Sequence, residues 1–374
     1  MRVAFISTVH GHGWPGSEFL WGETAGKLLE QGHQVFARCS EDFRDSKALC
    51  NLVARGLVYD SSRSVSSRWQ RLKEKIVDPL GRLRNWKSDV VVVSAGSAFD
   101  VSYSPPLARF LLKSGVPFIP ICHFNAETFW VDADNREIMR KIYDKAAASV
   151  FVCSDNHRIT ERQLAQRITN FRVIKPPLPV KLESPLPWPD EDCWDFACVA
   201  RWESRWKGQD VLFEVLARPE WLKRNWRLNL YGDGAEEGYL RDLAKHFGIA
   251  DRVNFVGFVK DRTEIWRKNH IQVFPTRGEG GPMVLTESMA CGRVAVIVNC
   301  GNAREYVEDG VDGFLAAFAT PEIFAVALER AWERRHEWKD MGILAHGGIA
   351  RLGDFDSSKD LIELLDEVAC RTSA

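Results

Sequence analysis

Short apolar runs alternate along the chain with longer segments whose apolar residues recur every three or four positions. Residues 3–7, 34–37, 90–94, 118–122 and 149–153 are runs of the first kind. Their shortness and their β-branched and aromatic content predict strands buried on both faces. Between them, residues 17–31 and 105–114 follow the helical period. A buried strand followed by an amphipathic helix, repeated, is the pattern of a parallel sheet covered by helices.

The alternation stops at Pro176 and stays silent to Pro189, a stretch with six prolines in fourteen residues. So many fixed φ angles and missing N–H donors forbid a helix and disfavour a central strand. The stretch reads as a semi-rigid linker. Beyond it the alternation restarts, with strands expected at 196–200, 227–231, 253–256, 272–274 and 294–298. Helices are expected at 208–217, 236–246 and 283–291, and then at 323–334 and 358–370. The chain therefore reads as two α/β halves in tandem. The first domain is expected over 1–175, the linker over 176–192 and the second domain over 193–355. A final helix over 356–374 is free to pack back on the first domain.

Composition narrows the function. At 374 residues, 45% hydrophobic and 27% charged, the chain is long and apolar enough for two cores, which excludes intrinsic disorder. A net charge of −1 gives no global attraction to nucleic acid, so no nucleic-acid partner is expected. The nine cysteines are odd in number and form no C-x-x-C pair, which points to reduced thiols in a cytoplasmic protein and to no zinc site. No apolar run is long enough for a membrane helix. The fourteen tryptophans suit either a core or an aromatic binding surface.

Three strand–helix junctions carry residues suited to a ligand. The first, Ile6 to Glu18, holds Gly11, Gly13 and Gly16 before a helix, where backbone can approach an anion. Its spacing is not that of a dinucleotide fingerprint. The second places Arg201 at a strand end and Lys207-Gly208 at a helix start, two cations at the edge where α/β sheets hold ligands. The third runs from Phe274 through Glu279 to Glu287. Glu279 lies in a glycine-rich turn and Glu287 one turn into a helix, so both carboxylates are expected to face one crevice. Free N–H groups of Gly281, Met283 and Val284 are available to a phosphate or sugar oxygen, whereas Pro282 has none to give.

Glu279 and Glu287 form an E-x7-E motif, and this segment resembles the signature of glycosyltransferase family 4, retaining enzymes of the GT-B fold. Three further segments match in order: Gly16-Ser-Glu18, Arg201 with Lys207-Gly208, and Gly301 to Gly313. The resemblance implies two Rossmann-like domains facing a cleft. It implies that Arg201 and Lys207 bind a donor diphosphate, which Gly16, Met283 and Val284 also approach. It gives the ribose to Glu287, the donor sugar to Glu279 with Gly281, the edge of the base to Val259, and a place over the donor sugar to His123. Glu279 and His123 are thus the expected catalytic residues. The implied reaction is transfer of a sugar, most simply from a UDP-sugar, to a hydroxyl acceptor that is a saccharide, a lipid-linked molecule or a small molecule. No cofactor or metal is implied. A nucleotide-sugar epimerase or hydrolase, or a non-catalytic glycan- or nucleotide-binding protein, are the alternatives on the same scaffold.

One segment stands apart. Residues 63–87 carry eight Lys or Arg against Glu74 and Asp78, with Trp69, Leu72, Ile76, Leu80, Leu83 and Trp86 at helical spacing and Pro79 and Gly81 as interruptions. A basic amphipathic helix of this kind fits either peripheral contact with an anionic membrane or packing on the sheet.

Overall fold

The computed structural model describes residues 1–11, 14–62, 80–178, 180–190, 192–352 and 356–373. The chain divides into two compact units, one of residues 1–177 and 356–374, the other of residues 178–355.

The first unit is built on β1 (Arg2–Ser7), α1 (Gly16–Glu30), β2 (Gln34–Ser40), α2 (Lys47–Ala54), β3 (Val58–Ser62), α3 (Gly81–Trp86) and β4 (Val90–Ala95). It continues with α4 (Pro105–Lys113), β5 (Phe118–Cys122), α5 (Ala133–Lys145), β6 (Ser149–Phe151), α6 (Ser154–Leu164) and β7 (Phe171–Val173). All seven strands are parallel, in the order β3-β2-β1-β4-β5-β6-β7. Successive residues point to opposite faces, so Val3, Phe5, Val90 and Val92 enter one core while Ala4, Ile6, Val91 and Val93 enter the other. This two-sided burial is why the strands read as continuous apolar runs. The C-terminal helix Ser357–Ser373 belongs to this unit: Leu361, Leu364, Leu365 and Val368 join Leu20 and Leu28 of α1 in the first core. Lys27 pairs with Asp356 at 2.6 Å beside them.

The second unit comprises β8 (Trp194–Val199), α7 (Gln209–Leu216), β9 (Trp226–Tyr231), α8 (Glu237–His246), β10 (Val253–Gly257), α9 (Arg262–Lys268) and β11 (Ile271–Phe274). There follow α10 (Met283–Ala290), β12 (Val294–Val298), β13 (Phe314–Ala316), α11 (Pro321–Glu333) and α12 (Trp338–Arg351). Its six strands are parallel in the order β10-β9-β8-β11-β12-β13. Tryptophan fills much of one face: Trp194 meets Trp338 at 5.2 Å and Trp221 meets Trp332 at 5.4 Å between ring centres. The proline-rich stretch is laid on this unit rather than held away from it. Leu186 is buried, and the buried Arg293 guanidinium donates to the carbonyls of Leu186, Pro187, Trp266, Asn269, Cys291 and Gly292.

Most of the basic segment, residues 63–79, lies outside the described residues. Of its remainder, Leu80 and Leu83 are core residues, and Trp86 packs against Phe36 at 5.5 Å under the Arg2 guanidinium. Trp86 therefore serves the packing of the sheet. Among the described residues no helix is long and apolar enough to cross a membrane.

Candidate functional site

In each sheet the strand order reverses once, at β1/β4 in the first unit and at β8/β11 in the second. The connections on the two sides of such a point lead away from each other, which leaves a crevice beyond the strands' carboxyl ends. The candidate residues gather at these two places.

In the second unit Lys207 ends a helical turn after β8, and Glu279 lies in the loop after β11. Lys207 Nζ donates to Glu279 Oε1 at 2.7 Å, and both side chains are mostly buried. Two glycines allow this approach. Gly208 has φ +71°, and a Cβ there would lie 2.0 Å from the Pro275 carbonyl oxygen. Gly301 has φ +57°, and its Cβ would meet Glu279 Cβ at 2.7 Å. Any larger residue at either position pushes the two loops apart. Thr276 Oγ1 bonds to the same carboxylate oxygen at 3.0 Å, and the Phe274 ring lies under the ammonium at 5.5 Å. Arg277 then fastens the β11 loop to the β8 loop through two bonds to Asp210, at 2.8 and 2.7 Å, and one to the Ser204 carbonyl. Arg201 stands at the same edge with its side chain 71% exposed, 3.1 Å from Glu203, so its charge is open to an incoming anion.

Two expectations need correction here. Glu287 does not face the crevice alongside Glu279: it is fully buried. Its Oε2 accepts from Arg262 at 2.5 Å and its Oε1 from Trp266 Nε1 at 2.9 Å. Burial raises its pKa, and the bonds from Arg262 and Trp266 hold the rise back. The N–H of Met283 is not free either, since it donates to the Gly281 carbonyl at 2.7 Å. Gly281 and Val284 flank it around the start of α10, and Val284 and Val259 each pack against the buried cluster that holds Trp266 and Ile265. Val259 also lines a cavity of about 360 Å³ with Asn229, Tyr231 and Ile265.

In the first unit Ser7 and Ser94 pair across the reversal point, at the ends of β1 and β4. Each anchors a titratable group. Ser7 Oγ donates to Glu18 Oε1 at 3.0 Å, and Trp21 Nε1 donates to Glu18 Oε2 at 2.7 Å. Burial lifts the Glu18 carboxyl to about 7 against these bonds. Ser94 Oγ shares a hydrogen bond of 3.0 Å with His123 Nε2. Burial lowers His123 to about 4, so its imidazole is neutral near pH 7. Gly16 opens α1, directly after the extended Pro15. Sequence reasoning gave no role to Arg262, Arg277, Thr276 or Ser94. Their partners lie 3 to 73 positions away, and no spacing rule joins them.

Residues 194–334 match the family of glycosyl transferases group 1. The match lies wholly within the second unit and covers most of it. A lipopolysaccharide 1,6-galactosyltransferase of Escherichia coli K12 is 24% identical over 334 residues, 84% of each chain. An exopolysaccharide phosphotransferase of Streptomyces coelicolor is 32% identical over 148 residues, 39% of this chain and 16% of that protein. The chain thus spans well under two thirds of the length of several curated relatives it matches, a Haemophilus influenzae glycosyltransferase at 31% among them. The structure of Anabaena HepE in complex with UDP-glucose aligns with a TM-score of 0.74 at 17% identity, covering 98% of this chain and 100% of that one. The two Rossmann-like units of this chain make the GT-B fold common to the group.

Proposed function

We propose that the protein transfers a hexose, with retention at the anomeric carbon, from a nucleotide sugar to a hydroxyl acceptor. The observation that carries the reading is the Lys207–Glu279 pair set at the β8/β11 reversal point with Arg201 beside it. In such a transfer negative charge grows on the departing diphosphate, and cations already in place stabilise it without reorganising. Lys207 has three donors and spends one on Glu279, which leaves two for a diphosphate. Glu279, once shared between the ammonium and a sugar hydroxyl, holds the donor hexose. A departing phosphate oxygen takes the acceptor's proton, so no protein nucleophile is required. The neutral His123 is assigned the donor-sugar contact as a hydrogen-bonding partner rather than a cation. Glu287 takes the ribose diol in this reading only when Arg262 releases its Oε2. The UDP-glucose held by HepE supports a UDP-sugar as donor.

With cations supplied by Arg201 and Lys207, the reaction needs no metal. The test is a panel of nucleotide sugars, scored for nucleotide release with and without saccharide acceptors, in EDTA and in Mg²⁺. Acceptor-dependent release that survives EDTA is the expected result. Release without any transfer product identifies a hydrolase, interconversion of the donor identifies an epimerase, and either outcome overturns the reading.

A further inference from the structure

Large aromatic side chains belong in cores, and in this protein most do: Trp21, Trp221, Trp266 and Trp338 are almost wholly buried. Trp130 is the opposite case, 78% exposed, and Tyr103 is 54% exposed. Both stand at one edge of the first unit. Tyr103 follows β4 and Trp130 follows β5, and these strands are neighbours in the sheet. Ser94 and His123 lie at the same carboxyl ends.

Trp130 is not exposed because its loop is loose. Gln163 Nε2 donates to the carbonyls of Ala126 at 2.9 Å and Phe129 at 2.6 Å, and Asn125 holds Gln163 in turn at 2.9 Å. The Phe129 ring stacks on Phe99 at 5.6 Å with the planes 1° apart. On the other side Arg136 donates to the Val131 carbonyl at 3.0 Å. The residues before and after Trp130 are therefore anchored, and the indole is presented outward from a fixed loop. Burial first, and then the Asp132 and Asp100 carboxylates, push the Tyr103 phenol's pKa up.

We infer that Trp130 and Tyr103 form a stacking platform for the acceptor, and that the part of the acceptor recognised there is a saccharide ring. The inference rests on the transferase reading for the word acceptor alone. A pyranose offers a face of C–H groups to an aromatic ring, which the exposed indole and phenol supply, and a rim of hydroxyls to the polar groups around it, here the Glu127–Arg158 pair and the Asp132 carboxylate bonded to Asn135. An anionic lipid surface would call for basic residues around the indole. The basic residues beside the loop are engaged within the protein, Arg158 and Arg162 with Glu127 and Arg136 with the Val131 carbonyl, so their charge is partly offset rather than directed at lipid phosphates.

The test uses the full chain without nucleotide. Saturation-transfer NMR is recorded with the methyl glycosides of glucose, galactose and N-acetylglucosamine and with lactose. Ring C–H protons of at least one sugar become saturated, the affinity falls about tenfold in Trp130→Ala, a loss of about 1.4 kcal/mol, and Trp130→Tyr retains part of it. Tyr103→Phe, which keeps the ring, binds like wild type, whereas Tyr103→Ala does not. No saturation of any sugar, or equal saturation in Trp130→Ala, overturns the proposal. So does Trp130-dependent sedimentation with phosphatidylglycerol vesicles. Calorimetry with UDP on the same samples separates the two readings: wild type that fails to bind UDP refutes the donor site and leaves the platform to be judged on the sugars.

Discussion

Replacing Arg262 by alanine isolates the electrostatics of the buried Glu287. In the native protein both oxygens of this carboxylate are occupied, one by Arg262 at 2.5 Å and the other by the Trp266 indole at 2.9 Å. Without the guanidinium, a wholly buried charge keeps a single N–H donor. Breaking a fully buried pair costs about 3–5 kcal/mol, whereas an exposed pair contributes at most about 1. The Arg262 side chain is 39% exposed, so water screens it partly and the expected loss is about 1–3 kcal/mol, or about 5 °C in Tm. The pH dependence has a definite sign. Burial already places the Glu287 pKa above its unfolded value, and removal of Arg262 raises it further. A carboxyl with a raised folded pKa favours the folded state while protonated and opposes it once ionised. The deficit of Arg262→Ala is therefore largest at neutral and alkaline pH and shrinks as the pH falls toward the ordinary carboxylate range. Chemical denaturation of wild type and variant at about pH 8 and about pH 5 reads the difference directly. The double variant Arg262→Ala/Glu287→Gln should recover most of the loss at the higher pH. A deficit independent of pH, or no recovery in the double variant, would mean that Arg262 acts through packing and not through the carboxylate.

Arg201→Ala and Lys207→Ala each slow sugar transfer about 100-fold, roughly 2.7 kcal/mol of transition-state stabilisation, and near-normal turnover in a folded double variant removes the diphosphate assignment. Because burial lowers His123 to about 4, its contribution to stability is present above about pH 6.5 and is lost as the pH falls through its folded pKa. Urea denaturation from neutral pH downward should show this acid limb flattened in His123→Gln. Arg293→Met leaves six buried carbonyl contacts of the linker and the helix ends without their donor, and is expected to cost about 3 kcal/mol or more and to open the 180–190 stretch to limited proteolysis; unchanged cleavage would show that the linker is held by other contacts.

The central strands were legible because burial on both faces makes them apolar throughout, as in the four valines of β4. Of the four edge strands only β10 was, at 253–256. β3 is Val-Tyr-Asp-Ser-Ser, half polar because one side lacks a neighbour, and β7 and β13 have three residues each, too few to show a period. The Lys207–Glu279 pair was legible as two separate motifs, since each follows a strand, but their contact depends on the order of strands in the sheet. Glu287 was misplaced for a related reason. Its helix position was right, yet its burial is set by Arg262 and Trp266, which arrive on a different helix. Trp130 was invisible among fourteen tryptophans, because composition cannot tell which indole the fold leaves outside.

The C-terminal helix has a bearing on how the protein is made. The second unit is continuous in sequence, so all of its core exists once residue 355 has been synthesised. The first unit is started earlier but lacks Leu361, Leu364, Leu365 and Val368 until the helix 357–373 follows. Domains fold as units during synthesis, ordinarily the N-terminal one first. Here the order of completion is reversed: the unit begun second is finished first, and α1 waits with Leu20 and Leu28 uncovered. A chain cut short before the last helix would carry that apolar face permanently, which makes truncation at the C-terminus a route to aggregation rather than a trimming of a free end.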